Sequence, residues 1–241
     1  MKWYMVSFLT HREAANCGGE LYPAREYKCI LNAPSSEVAY ADSQSLAALR
    51  VAELNKEPGA RWTLDGLSDL LMLSASPAPG SELTWSEEEM PPSALMAYVT
   101  DKARLRAFAE GKDAADRSGW YVCDIVLVEV HDSGTHGETV LVWANSCLIQ
   151  AKDADSAYSL ALTLADEQQS EPGSHHCDGD TAHFEFKGFH ELAPTIDPPG
   201  DHATILVDDL LLSREELMGR VPPRARLSVF EWEERQQRSP A

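Results

Sequence analysis

The stretch KCILNAPSSEVAY at residues 28–40 matches SCLIQAKDADSAY at residues 146–158, and this match decides the fold. Cys29 aligns with Cys147, and the Ala-Tyr pairs that end both stretches also align. Each stretch passes from an apolar, strand-like run to a polar capping residue and then to helical sequence. Self-similarity at a fixed spacing indicates an internal repeat. The chain therefore consists of two copies of one unit.

Three further blocks repeat in the same order. They are Trp3-Tyr4 with Trp120-Tyr121, WTLDGLSDL at 62–70 with FEFKGFHEL at 184–192, and ALMAYVTDKARLRAF at 94–108 with ELMGRVPPRARLSVF at 216–230. The offset drifts only from 117 to 122 residues, so the insertions are the size of loops. The match predicts a divergent first repeat at 1–108, a linker at 109–119 and a second repeat at 120–241.

Each repeat has the predicted order ββαββα. Ser35 or Asp153 is the expected cap of the first helix, and Gly66 and Gly188 indicate a bulge or a close backbone approach. The fold class is α+β, with two tandem units, each a mostly antiparallel four-stranded sheet covered by helices, related by a pseudo-two-fold. One interpretation of the order is a cyclically shifted ferredoxin-like sheet. Because the last helix of the first repeat leads directly into the second repeat, strand exchange between the repeats is possible.

Acidic residues dominate the charge. The 241 residues include 20 Lys and Arg and 39 Asp and Glu, a formal charge of −19. Such a field repels nucleic acids and anionic membranes and attracts a basic partner, although acidity alone also serves solubility. We therefore expect no nucleic acid and no membrane. The opening residues lack a signal-peptide layout, and five cysteines without CxxC spacing predict reduced thiols in a bacterial cytoplasmic protein.

The second repeat resembles a known family. The strings that carry the resemblance are WYVCDIVLVEV (120–130), LVWANSCLIQAKDADSAYSLAL (141–162) and FEFKGFHEL (184–192). They are similar to the bacterial domain-of-unknown-function family numbered 4288, here in two tandem copies. The resemblance covers about residues 119–210 and extends more weakly to 1–90. The first repeat departs from it where LVWAN (141–145) is replaced by PAREY (23–27). The family implies no activity and no catalytic residues.

Aromatic and acidic residues, most of them in the second repeat, are the candidate binding residues. They are Trp120, Tyr121, Trp143, Asn145, Tyr158, Asp208 and Asp209. The alternative for the aromatic residues is packing in the core or along a sheet edge, since successive strand residues face opposite sides.

A dense group of potential metal ligands lies between the helix and the third strand of the second repeat. His175, His176, Cys177 and Asp180 offer the imidazole, thiolate and carboxylate groups that suit zinc. Their spacing matches no standard zinc pattern, so an exposed acidic loop explains them equally well. Cys29 and Cys147 lie in core-strand sequence and are expected to be buried structural residues.

No nucleotide-binding glycine motif, nucleophile elbow or HExxH sequence is present. The leading hypothesis is a non-catalytic protein-binding module without a cofactor, for example an immunity or antitoxin-type inhibitor of a basic partner. One alternative is a metal protein or enzyme that uses residues 175–183. Another is a structural covalent pseudo-dimer, either monomeric or assembled as a homodimer.

Overall fold

The computed structural model of the chain describes residues 1–13, 21–57, 59, 61–109, 119–133, 138–177 and 180–238; of residues 109, 175–177 and 180 it describes the backbone alone. This part of the chain contains nine strands, six helices and two short 3₁₀ turns at Lys102–Arg104 and Arg224–Arg226. In chain order, the strands and helices are β1 (Lys2–Arg12), β2 (Leu21–Ala33), α1 (Ser36–Leu54), β3 (Trp62–Met72), β4 (Glu82–Met90), α2 (Pro92–Tyr98), α3 (Arg106–Ala109), β5 (Trp120–His131), β6 (Val140–Gln150), α4 (Ala154–Gln168), β7 (His175–Cys177), β8 (Asp180–Pro194), β9 (Thr204–Ser213), α5 (Arg214–Gly219) and α6 (Ser228–Arg238).

The chain folds into two compact units. The first unit is residues 1–76 with 196–241, and the second unit is residues 77–195. The sheet of the first unit has the order β3-β1-β2-β9, and that of the second unit has the equivalent order β8-β5-β6-β4. All of these pairs are antiparallel, and the three-residue strand β7 extends the second sheet beyond β8. The α+β class with two similar antiparallel sheets is therefore confirmed.

The two units cut across the sequence repeats at 1–108 and 120–241, because each unit contains the end of the other repeat. Strand β9 of the second repeat pairs with β2 of the first repeat, from Leu21↔Ser213 to Cys29↔Thr204. Strand β4 of the first repeat pairs in the same way with β6 of the second. The exchange that the sequence allowed is thus present, and it is reciprocal. The repeats remain units of sequence, whereas the compact units are built from both.

The ferredoxin-like strand order is not confirmed. The α1 crossover joins β2 to β3, and the strand lying between those two is β1. A cyclically shifted ferredoxin-like sheet would place the fourth strand of the unit there. Instead the fourth strand lies on the outer side of β2, at the edge of the sheet. The β1–β2 hairpin, which is local in sequence, occupies the centre.

Both faces of each sheet are buried by helices. In the first unit, alternate residues of β1 such as Tyr4, Val6 and Phe8 face the helix α1 side, while Leu9 faces a second cluster with Leu217 of α5. The second unit repeats this arrangement, with one cluster beneath α4 and another beneath α2. In the first unit, α6 packs on the same face as α1, and α5 packs on the opposite face. The exchanged segment, which is the fourth strand of a repeat with the helices that follow it, therefore covers both faces of the sheet that it joins.

Small residues let the central helices approach the sheets. The side chains of α4 that reach the core are Ala157, Ala161 and Ala165. The expected caps are confirmed, since Ser35 accepts a hydrogen bond from the Val38 N–H and Asp153 accepts one from the Ser156 N–H. Leu160 of α4, by contrast, is exposed. Among the described residues, no helix combines the length and apolar character needed to cross a bilayer.

Candidate binding site

Three buried side-chain atoms of the described residues have no hydrogen-bond partner: Arg50 Nε, Trp143 Nε1 and Asn145 Oδ1. They lie at the same place in the two units. Arg50 and Gln168 occupy equivalent positions at the ends of α1 and α4, and Asn145 is the equivalent of Tyr27 on the neighbouring strand. An unpaired buried polar atom costs about 1–3 kcal/mol. We therefore take this place as the candidate binding site.

In the first unit this place is a cleft of about 330 Å³, here called the Arg50 cleft. Its lining residues are Tyr27, Arg50, Glu53, Leu54, Glu57, Ile196, Asp197, Thr204 and Val207. Arg50 donates from Nη1 to Glu53 Oε2 at 2.9 Å and from Nη2 to Thr204 Oγ1 at 2.8 Å. Three carboxylates around one guanidinium leave the cleft net negative, so it does not suit an anionic ligand.

In the second unit the same place carries an aromatic stack at the sheet edge. The rings of Trp85 and Trp143 are 5.3 Å apart and only 16° from parallel, and Trp143 also contacts Phe184 at 5.0 Å. Glu87 lies directly opposite Trp143 in the β4–β6 register. We call this surface, formed by Trp85, Glu87, Trp143, Asn145 and Phe184, the aromatic–acidic face.

Polar side chains hold the inner side of this face. Asn145 Nδ2 donates to Gln168 Oε1 at 3.0 Å, and Gln168 Nε2 lies 3.4 Å from Cys147 Sγ. Asn145 is 9% exposed and Trp85 is 54% exposed. The arrangement fixes the buried Asn145 side chain on the same face of the sheet as Trp85, which lies opposite it in the β4–β6 register.

The first unit fills the equivalent position differently. Arg25, the counterpart of Trp143, places its guanidinium carbon 5.0 Å from the centre of the Trp62 ring. Its Nε donates to Asp209 Oδ1 at 2.8 Å. Asp209 lies opposite Arg25 just as Glu87 lies opposite Trp143, and Trp62 corresponds to Phe184. An acidic residue and an aromatic ring are thus common to both units, and the cation belongs only to the first.

The cysteines near these sites are not activated nucleophiles. Burial raises the pKa of the Cys29 thiol to about 11, although its contact with Thr204 lowers the pKa in part. Burial likewise raises the pKa of Cys147 to about 11 and raises that of Cys123 still further. A nucleophilic cysteine needs the opposite shift. The expectation that Cys29 and Cys147 are buried structural residues is confirmed.

Histidine–carboxylate pairs occur away from these sites. His11 Nδ1 lies 2.8 Å from Asp65 Oδ1, and His183 Nδ1 lies 2.8 Å from Asp132 Oδ1. The second ring nitrogen of His183 faces Glu185 at 3.3 Å, a second carboxylate rather than a nucleophile. This pair therefore lacks the arrangement of a catalytic triad.

Two of the predicted binding residues, Trp143 and Asn145, come together in the aromatic–acidic face. Asp208 and Asp209 lie on β9 in the other unit, near Lys28 and Arg25 respectively. Tyr158 packs against Phe108 and Lys102.

Tyr121 contributes no binding surface. It is fully buried beneath α4, because strand alternation turns it into the core, while Trp120 on the opposite side is half-buried.

The structure does not describe the side chains of the predicted metal ligands. The side chains of His175, His176, Cys177 and Asp180 lie outside the described residues, and only their backbone forms the β7–β8 hairpin. Within the described part of the chain, no group of three or more potential ligands is arranged to hold a metal ion.

The sequence interpretation missed Trp85 and Glu87. The sequence after the Pro/Gly turn predicts a short fourth strand over Glu82–Trp85, with Glu87–Glu89 preceding a helix, whereas β4 continues to Met90. The usable signal was the spacing of two between Trp85 and Glu87, which places both on one face of a strand.

No family model, curated protein or solved structure matches the chain.

Proposed function

We propose that this chain is a non-catalytic protein-binding module for a partner with a basic surface. The observation that carries the proposal is the Trp85–Trp143 stack beside Glu87 at the edge of the second sheet. Tryptophan is enriched among the residues that dominate binding energies, and a half-exposed one offers a large apolar area. An inhibitor of the immunity or antitoxin type is one concrete form of this function.

The charge of the second unit supports a basic partner. Residues 77–195 contain 7 basic and 21 acidic residues, a formal charge of −14. Complementary charge accelerates association and excludes partners of the same sign.

The position of the aromatic–acidic face at the edge of the sheet also supports partner binding. Within the described residues, β4 pairs only with β6, so its outer backbone groups are open to a further strand.

The test is a comparison of protein capture from the native host by three baits: the natural chain, Trp85→Ala and Trp232→Ala. Trp232 is the matched control, since it is 46% exposed and lies between acidic residues on α6. We expect a basic protein to be retained by the natural chain and by Trp232→Ala, to be lost from Trp85→Ala, and to dissociate as salt is raised. Equal retention by all three baits would refute the proposal.

A further inference from the structure

We infer that the aromatic–acidic face binds an arginine side chain of the partner, a specificity that rests on the proposed function. The first unit of the chain already contains an arginine that is bound in this way. In the first unit, the guanidinium of Arg25 lies over the Trp62 ring at 5.0 Å and donates to Asp209 at 2.8 Å. An arginine is thus held between an aromatic ring and a carboxylate at this position of the fold.

The second unit keeps the recognition groups without the arginine. Glu87 takes the place of Asp209, Phe184 takes the place of Trp62, and Trp143 replaces Arg25. The ring of Trp143 occupies the position of the guanidinium beside Phe184, and Trp85 stacks on it. Among the described residues, no Lys, Arg or His forms an ion pair with Glu87. Because Trp143 fills the space next to Phe184, an arginine of the partner stacks instead on the exposed Trp85 and pairs with Glu87.

The geometry favours arginine over lysine. Trp85 and Glu87 are two residues apart on β4, so their side chains lie on the same face. A planar guanidinium stacks on an indole ring and donates in its own plane to a carboxylate, whereas an ammonium is more strongly hydrated and cannot stack. Tryptophan is also the best aromatic partner for a cation.

Calorimetric titration of the full chain with capped tetra-arginine, tetra-lysine and tetra-citrulline peptides at about 0.15 M salt tests this inference. Citrulline keeps the shape of arginine without its charge. We expect tetra-arginine to bind about fivefold or more tightly than tetra-lysine, and tetra-citrulline to give no measurable binding.

Variants locate the binding. Trp85→Ala and Glu87→Gln should each weaken tetra-arginine binding about fivefold or more, Trp85→Phe should retain part of it, and Trp232→Ala should stay within about twofold. Equal affinity for the arginine and lysine peptides, weakened alike by Trp85→Ala, would overturn the arginine specificity and leave the proposed function standing. An equal loss in Trp232→Ala, or no binding of any peptide, would overturn the inference as well. The capture experiment then decides the proposed function separately.

Discussion

At the scale of single residues, the two bulge glycines are the most constrained positions in the chain. Gly188 has a φ of +144°, and a Cβ there would lie 2.4 Å from Val99 Cγ1; Gly66 has the same relation to Val221. Gly188→Ala should therefore lower the free energy of unfolding by about 1–3 kcal/mol. Denaturant unfolding followed by circular dichroism measures the loss.

The control for this prediction is Gly219→Ala. Gly219 ends α5 and has open space where its Cβ would be, so alanine should be neutral or stabilising there. The double variant Gly188→Ala/Val99→Ala should lose less stability than the sum of the losses in the two single variants, because alanine at position 99 removes the clash with the new Cβ. Unchanged stability in Gly188→Ala would contradict the close approach.

The buried thiols predict a loss of stability in alkali. Burial raises the pKa values of Cys29 and Cys147 in the folded protein to about 11. The stability that the neutral thiols give to the folded state is complete below the unfolded pKa and is lost as the pH rises from about 9 to 11. Each thiol should reduce the free energy of unfolding by up to about 1.4 kcal/mol per pH unit in that window. Urea titrations from about pH 7 to about 11 measure the slope, which should be shallower in Cys29→Ala; an equal slope would contradict the assignment.

Residue-level prediction from sequence succeeded where the cause was local. The aligned cysteines lie in apolar strand sequence, and Gly66 and Gly188 interrupt otherwise regular strands. The unpaired atoms of Arg50 and Trp143 had no such signal. Whether a buried polar atom finds a partner depends on the neighbouring strand and helix, which are distant in the sequence.

At the scale of elements, two equivalent contacts attach the exchanged segments to the central helices. Arg224 lies over the rings of Tyr40 and Phe230 at 5.0 and 4.4 Å and pairs with Glu37. In the second unit, Lys102 lies over Phe108 and Tyr158 and pairs with Asp155. The basic residue in each case comes from the 3₁₀ turn before the last helix.

Arg224→Ala should therefore destabilise the protein by about 1–2 kcal/mol, since it removes a cation over two rings together with an ion pair. Thermal and denaturant unfolding give the value. Arg238→Ala, which removes an exposed helical pair with Glu234, is the matched control and should change stability by less than about 0.5 kcal/mol. A similar effect of the two substitutions would mean that Arg224 acts only as a surface charge.

The sequence predicted most elements and their caps, because period, capping residues and glycine positions are local signals. The Ser-x-x-Glu spacing of Ser213 and Glu216 predicts a capping box, and the structure has it at the start of α5. Strand order was beyond the sequence. The β2–β9 pairing joins residues such as Tyr27 and Val207 across most of the chain, and alternation alone does not select one edge partner over another.

At the scale of the whole molecule, the reciprocal exchange predicts the behaviour of an isolated repeat. Residues 120–241 contain β5, β6, α4 and β8, but the strand that completes their sheet is β4 of the first repeat. Their own β9 pairs natively with β2 of the first repeat. Alone, this fragment has an uncovered sheet edge at β6 and an unpaired β9. Two copies satisfy both needs by exchanging their C-terminal segments.

The isolated fragment should therefore form a dimer, and its melting temperature should rise with concentration, as for any fold completed by association. Light scattering after gel filtration gives the mass, and unfolding at several concentrations gives the dependence. The full chain should show no such dependence. Covalent joining makes the exchange intramolecular, at an effective concentration in the millimolar range for a short linker. A concentration-independent monomer of the fragment would show that β9 returns to its own β6, and the exchange would then follow from the tandem arrangement rather than from the repeat itself.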